Sequence, residues 1–167
     1  MAFLRGLPEG IGFWHPATLL ATVGGIGLTR VGSGTWGAAV AVPLAYLIML
    51  WAGPWALLAA SVIAFCVGLW AAHVIGRSGE KDSSVIVIDE VAGQWLTLTV
   101  AGLNPWLYLI GFVLFRLVDI AKPWPISWMD RELGGAFGVM IDDMAAGLAA
   151  GIALWLIGLG LIGLAWV

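Results

Sequence analysis

The chain has 167 residues, 62% of them hydrophobic and 10% charged, with a mean hydropathy of +1.03. A soluble domain carries about 25% charged residues, and one small core cannot hide this much apolar surface. Composition therefore excludes an ordinary soluble domain and predicts an all-α polytopic membrane protein, organised as a single membrane-embedded domain over 1–167. The net charge of −3 comes with no basic block, which leaves no nucleic-acid signal, and the lone Cys66 excludes a disulfide framework or a cysteine metal cluster. In an apolar run that thiol reads as buried and inert.

The first residues, with Arg5, Glu9 and several glycines, do not read as a cleavable signal. Residues 13–28 open on His15-Pro16 and run apolar to Gly24-Gly25. They are too short to span and predict a short N-terminal helix, re-entrant or packed in the bundle, with His15 at its start or at the interface. Residues 29–37, TRVGSGTWG, read as a flexible loop. Its backbone N–H groups could face an anion, with Arg30 and Thr35 inside it.

No Asp, Glu, Lys or Arg occurs from residue 31 to residue 76. The run breaks at Trp51-Ala52-Gly53-Pro54-Trp55, which predicts a helical hairpin over about 36–52 and 54–76, with Pro43 as a point where the first arm can kink. His73, near the end of the second arm, reads either as an interfacial residue or as a neighbour of a polar site. Residues 77–84 form a polar loop.

Residues 85–101 are apolar except for Asp89-Glu90 and small polar groups, and Gly102-Leu103-Asn104-Pro105-Trp106 is a turn. Residues 107–121 return to Arg116, Asp119 and Lys122, whose three-residue spacing puts them on one broad helical face. A single span over 91–115 is the alternative, although Asn104-Pro105 would interrupt it. The choice matters, because a hairpin puts Asp89 and Arg116 on the same membrane face and a single span puts them on opposite faces. Residues 123–138 form an amphipathic connector. Residues 139–167 contain Asp142-Asp143 followed by 24 uncharged residues, enough to cross, and the Gly147/Gly151 pair permits close helix packing.

The hairpin drawing has about five crossing helices, of which the first arm over 36–52 is short for a span. All the charged loops then fall on one side, and their Lys and Arg residues make that side cytoplasmic. Trp51, Trp55, Trp106 and Trp166 mark the other boundary. On the charged face Asp89, Glu90, Asp119, Asp142 and Asp143 converge, with Asp82 in the loop before them. Clustered carboxylates repel unless cations hold them. A hard divalent cation such as Mg²⁺ suits an all-oxygen donor set, with Arg30, Arg116 and Lys122 left for phosphate. A set of interfacial salt bridges without catalysis is the competing reading.

Four blocks carry a family resemblance: Ser33-Gly34-Thr35-Trp36-Gly37; Lys81-Asp82 with Ile88-Asp89-Glu90-Val91-Ala92-Gly93-Gln94; Phe115-Arg116-x-x-Asp119-x-x-Lys122-Pro123-x-Pro125; and Met140-Ile141-Asp142-Asp143-Met144-x-Ala146-Gly147. In these the chain resembles the phosphatidylglycerophosphatase A family, with Ser33 where the family often has Pro. The resemblance implies Mg²⁺-dependent hydrolysis of phosphatidylglycerophosphate to phosphatidylglycerol and inorganic phosphate at a bacterial inner membrane. Asp89, Asp142 and Asp143, with Glu90 or Asp119, would hold the metal. One of these carboxylates, or Asp82, would orient or deprotonate the water. Arg30, Thr35, Arg116 and Lys122 would face phosphate. Direct attack by water and a covalent aspartyl-phosphate are both open. The reading from another class is a small cation-coupled transporter or channel, whose carboxylates would sit nearer the bilayer midplane. A non-catalytic scaffold is a third. Self-association is permitted by the last helix and not demanded.

Overall fold

The computed structural model describes residues 11–76 and 85–164. Among them the chain is all helical, without strands: α1 (Pro16–Ala21), a 3-10 turn (Ile26–Leu28), α2 (Ser33–Gly76), α3 (Ile88–Leu98), α4 (Pro105–Ala121), α5 (Ile126–Glu132) and α6 (Gly135–Leu164). Two of these, α2 and residues Gly135–Gly160 of α6, are long and apolar enough to cross a membrane.

The hairpin expected in α2 is present. Gly53 has φ 80° and ψ −178°, non-helical angles that glycine adopts without steric cost, while Pro43 stays inside the helix. Both arms pack along α3 in opposite directions. On the first arm the Ala41 carbonyl accepts the Trp95 indole N–H at 3.0 Å, and Met49 shares a cluster with Leu98. On the second arm Ser61 Oγ donates to the Ala92 carbonyl at 2.8 Å, and Gly68 lies against Ile88 and Met140.

The chain also reverses between α3 and α4, so the single-span alternative over 91–115 does not form. Asn104 caps α4 by accepting the Trp106 N–H at 3.0 Å, and Pro105 occupies the first turn, where its missing N–H leaves no donor unsatisfied. Gly111 faces Leu98 and Leu154, and Phe115 faces Gly93. Glu90 and Arg116 consequently share one end of the bundle. Helix α6 runs parallel to α3 at backbone contact, since a Cβ on Gly147 would meet the Gly93 carbonyl and a Cβ on Gly93 would meet the Asp143 carbonyl. Thr97 Oγ1 ties the two helices by reaching the carbonyls of Gly93 and Gly147, each at 3.0 Å. The close packing read from Gly147 and Gly151 is thus realised.

Several boundaries differ from the sequence reading. The N-terminal segment is packed, as one of its two readings held. Only Pro16–Ala21 is α-helical there, with His15 Nδ1 accepting the Ala17 N–H at its start. Val87 N–H donates to the Ala21 carbonyl at 2.8 Å, so α1 lies over the start of α3. The loop expected through residue 37 ends early. Gly32, at φ 64°, turns the chain and its carbonyl accepts the Trp36 N–H, so Ser33-Gly34-Thr35-Trp36-Gly37 is the first turn of α2. Helix α6 starts at Gly135, before the expected 139. Cys66 is exposed, not buried. An unbroken apolar helix has no polar stripe to tell the packed face from the lipid face, so periodicity could not place it. His73 is exposed too.

Candidate metal and phosphate site

Helix geometry brings the acids together. Asp89 and Glu90 occupy the first turn of α3, and Asp142 and Asp143 the second and third turns of α6. The Gly93–Gly147 contact sets these two helix starts side by side. Asp119 arrives from the end of α4. Asp89, Asp119, Asp142 and Asp143 are each buried, and all line one cavity of about 440 Å³ together with Glu90, Ser33, Lys122 and Asp130.

Within that set the carboxylates divide. Asp89, Glu90 and Asp143 each offer an oxygen within 4.8 Å of the other two. Glu90 Oε2 and Asp143 Oδ2 are buried and lack hydrogen-bond partners. Asp142 instead places Oδ2 at 2.6 Å from Lys122 Nζ, which also reaches Asp130 Oδ1 at 2.5 Å. Asp119 Oδ2 lies 2.6 Å from Arg116 Nη1 on the preceding helical turn. Of the five acids expected to hold a metal, three are grouped, while Asp119 and Asp142 hold the two nearby cations. Asp82 lies outside the described residues.

Partial burial of Lys122 opposes its charge, but hydrogen bonds to Asp130 and Asp142 outweigh this and hold the ammonium above its ordinary range. The same bond from Lys122 pulls the Asp130 carboxyl below its usual value. Lys122 is therefore a fixed cation on the cavity wall. Its backbone makes this possible: Lys122 has φ 41° as the residue that ends α4, so its side chain leaves the helix direction and turns toward α5 and α6.

Other expected contacts are looser. Arg30 and Thr35 are exposed at the approach to the first arm of α2 and are not among the cavity-lining residues. Their neighbour Ser33 lines it instead. Gly34 matters for space: a side chain there would run into the Glu90 carboxylate and stand 3.3 Å from Arg116 Nη1. Asp130 and Gln94 were not singled out as site residues by the sequence reading. Asp130 joins Lys122 across the Pro123–Pro125 turn, where no periodicity links them. Gln94 is fully buried one turn beyond Glu90, and neither amide atom has a hydrogen-bond partner. Its spacing from Glu90 in an otherwise apolar helix was the available signal.

The donor chemistry fits a hard divalent cation. Three carboxylates converge, two of their oxygens are buried and unpartnered, and the neighbouring Arg116 and Lys122 are engaged by other acids. An acidic cluster of this kind, beside a fixed cation, can bind a metal and an anionic phosphate together.

Comparison with known proteins agrees with the four sequence blocks. Residues 19–158 match the family model described as phosphatidylglycerophosphatase A. The chain is 40% identical over 146 residues to phosphatidylglycerophosphatase A of Escherichia coli, covering 87% of this chain and 83% of that protein. It is 32% identical over 149 residues to the Haemophilus influenzae protein of the same name, covering 88% and 91%. No solved structure matches the chain. The match spans every helix that contributes an acid or a cation to the cavity, and the chain belongs to the phosphatidylglycerophosphatase A family.

Proposed function

We propose that the chain hydrolyses the terminal phosphomonoester of phosphatidylglycerophosphate, releasing inorganic phosphate and phosphatidylglycerol, with Mg²⁺ bound by Asp89, Glu90 and Asp143. The observation that carries this reading is the grouping of those three carboxylates within 4.8 Å, beside Lys122, in one cavity. Bound there, Mg²⁺ would supply the Lewis acidity that phosphoryl transfer to water requires.

The chain's own residues do the rest. Lys122 and Arg116 stabilise negative charge on the phosphoryl oxygens. Asp119 aims Arg116, and Asp130 with Asp142 aims Lys122. A carboxylate of the site accepts the water's proton as its oxygen attacks phosphorus. The bond from phosphorus to the glycerol oxygen breaks, and that oxygen takes the proton back from the same carboxyl group and leaves as the hydroxyl of phosphatidylglycerol. Capture of a phosphorylated Asp in rapid-quench experiments would replace this direct attack by a covalent route.

The membrane arrangement is part of the proposal. The two arms of α2, 33–52 and 54–76, are ~30 and ~35 Å long, α4 ~25 Å and α3 ~16 Å at the usual helical rise. With α6 they make about five passes through a hydrocarbon core of ~30 Å, α3 being the shortest of them. Arg116, Lys122 and Arg131 at one end make that face cytoplasmic in a bacterial inner membrane. Trp51, Trp55 and Trp106 are exposed at the other.

Phosphate release from phosphatidylglycerophosphate by detergent-purified protein tests the reading. Release with Mg²⁺ that stops with chelator and returns on adding Mg²⁺ is expected. Its absence under both conditions, in folded protein, would favour an ion-translocating or scaffold role.

A further inference from the structure

Resting on the lipid-phosphatase reading, we infer that the groove between the first arm of α2 and α4 is the seat of one acyl chain of the lipid substrate. The groove has a volume of about 640 Å³ and is lined by Ala39, Val42 and Leu47 on one side and Pro105, Leu109 and Phe112 on the other. Its walls are almost wholly apolar, and its rims, such as Leu47 and Leu109, are exposed. From Ala39 to Leu47 it runs ~12 Å along the helix, close to the ~15 Å depth of one leaflet's hydrocarbon.

What selects a substrate chain over any other lipid is the closeness of the groove's upper end to Glu90, which lines the charged cavity. Ala39 lies one helical turn below Thr35 and Phe112 one turn below Arg116. At that level Gly34, Glu90 and Arg116 meet. The first arm of α2 is also short at this end. The first arm begins at Ser33, level with Glu90, whereas the second arm passes Ile88 at Gly68 and continues ~12 Å further to Gly76. Helix α1 closes the α3 start beside it. A lipid entering laterally from the cytoplasmic leaflet over the short start of the first arm meets the groove between α2 and α4. With a chain in the groove, its head group stands at Arg116 and its terminal phosphate reaches past it into the cavity.

Two measurements test this. A phosphatidylglycerophosphate bearing a diazirine in its acyl chain is photolysed on the purified protein, and the labelled peptides are sequenced; this requires no turnover. Labelling concentrated in 39–47 and 105–112 is expected, while even labelling of the outward face of α6 around Trp155 would overturn the assignment. The variant Leu47→Trp, which fills the distal end, is then assayed with dipalmitoyl and dioctanoyl substrate. The kcat/KM should fall about tenfold for the long-chain lipid, equivalent to roughly two buried methylenes, and stay within twofold for the short-chain lipid. Equal loss on both, or no loss on either, would contradict the groove. An inactive wild type would count against the phosphatase reading alone, leaving the cross-linking pattern to decide the groove.

Discussion

Lys122 joins three parts of the chain: it ends α4, bonds Asp130 on α5 and bonds Asp142 on α6. Its removal leaves Asp142, buried, without that partner, so Lys122→Met should destabilise the protein by about 1–3 kcal/mol, at the low end of breaking a buried pair because Lys122 is partly exposed. The pH dependence follows from the two shifts. The raised Lys122 value means its contribution is full below the ordinary lysine range and is lost only as pH rises through that raised value. The lowered Asp130 value means its contribution is present above the ordinary carboxylate range and is lost as pH falls through the lowered one. The Tm difference between wild type and Lys122→Met should therefore stay constant from about pH 7 to 9, as scanning calorimetry in detergent can check. The residue types at this site were legible in the sequence, because acids and bases beside apolar runs stand out. Their pairing was not. Asp142 and Asp143 are adjacent in sequence, and only the helix rotation decides that one meets Lys122 and the other meets Asp89 and Glu90.

Among the elements, α3 and α6 carry the geometry of the proposed metal site through a contact between bare backbones. A methyl group at Gly147 would stand against the Gly93 carbonyl, with the Gly93 carbonyl carbon and Cα both 2.9 Å away. Gly147→Ala should push the helices apart, cost about 1–3 kcal/mol as an overpacked contact, and lower activity because Asp143 lies one turn away. Thermal unfolding and phosphate release measured on the same preparation should fall together. The small-xxx-small spacing announced close packing, and the Gly53 and Asn104-Pro105 turns announced both reversals. Helix starts were harder to read. Ser33-Gly34-Thr35 has the composition of a loop, but Gly32 takes the left-handed turn and frees the following residues for helix. The glycine at position 34 then serves close approach of Glu90 and Arg116.

At the scale of the whole molecule, the described charges gather at one end because both hairpin turns, at Gly53 and at Asn104, lie at the other. In the proposed five-pass arrangement that polarity would set the orientation. A reporter fused after Val167 should lie outside the cytoplasm, and one inserted after Glu132 should lie within it; the reverse pair, or two reporters on one side, would break the five-pass arrangement. Composition alone announced helices long and apolar enough to cross a membrane, as α2 and α6 are, while the short reach of α3 needed the helix boundaries. The central claim is that Asp89, Glu90 and Asp143 hold the metal that hydrolysis requires, with Asp142 acting through Lys122. The most direct measurement is the Mg²⁺ dependence of phosphate release from phosphatidylglycerophosphate for Asp143→Asn beside Asp142→Asn, each confirmed folded by circular dichroism. Loss of a metal-ligating carboxylate should reduce Asp143→Asn by about a hundredfold and move its half-saturating Mg²⁺ upward, while Asp142→Asn should keep the wild-type Mg²⁺ midpoint and lose rate. A wild-type Mg²⁺ midpoint in Asp143→Asn, or the larger Mg²⁺ shift in Asp142→Asn, would contradict the account.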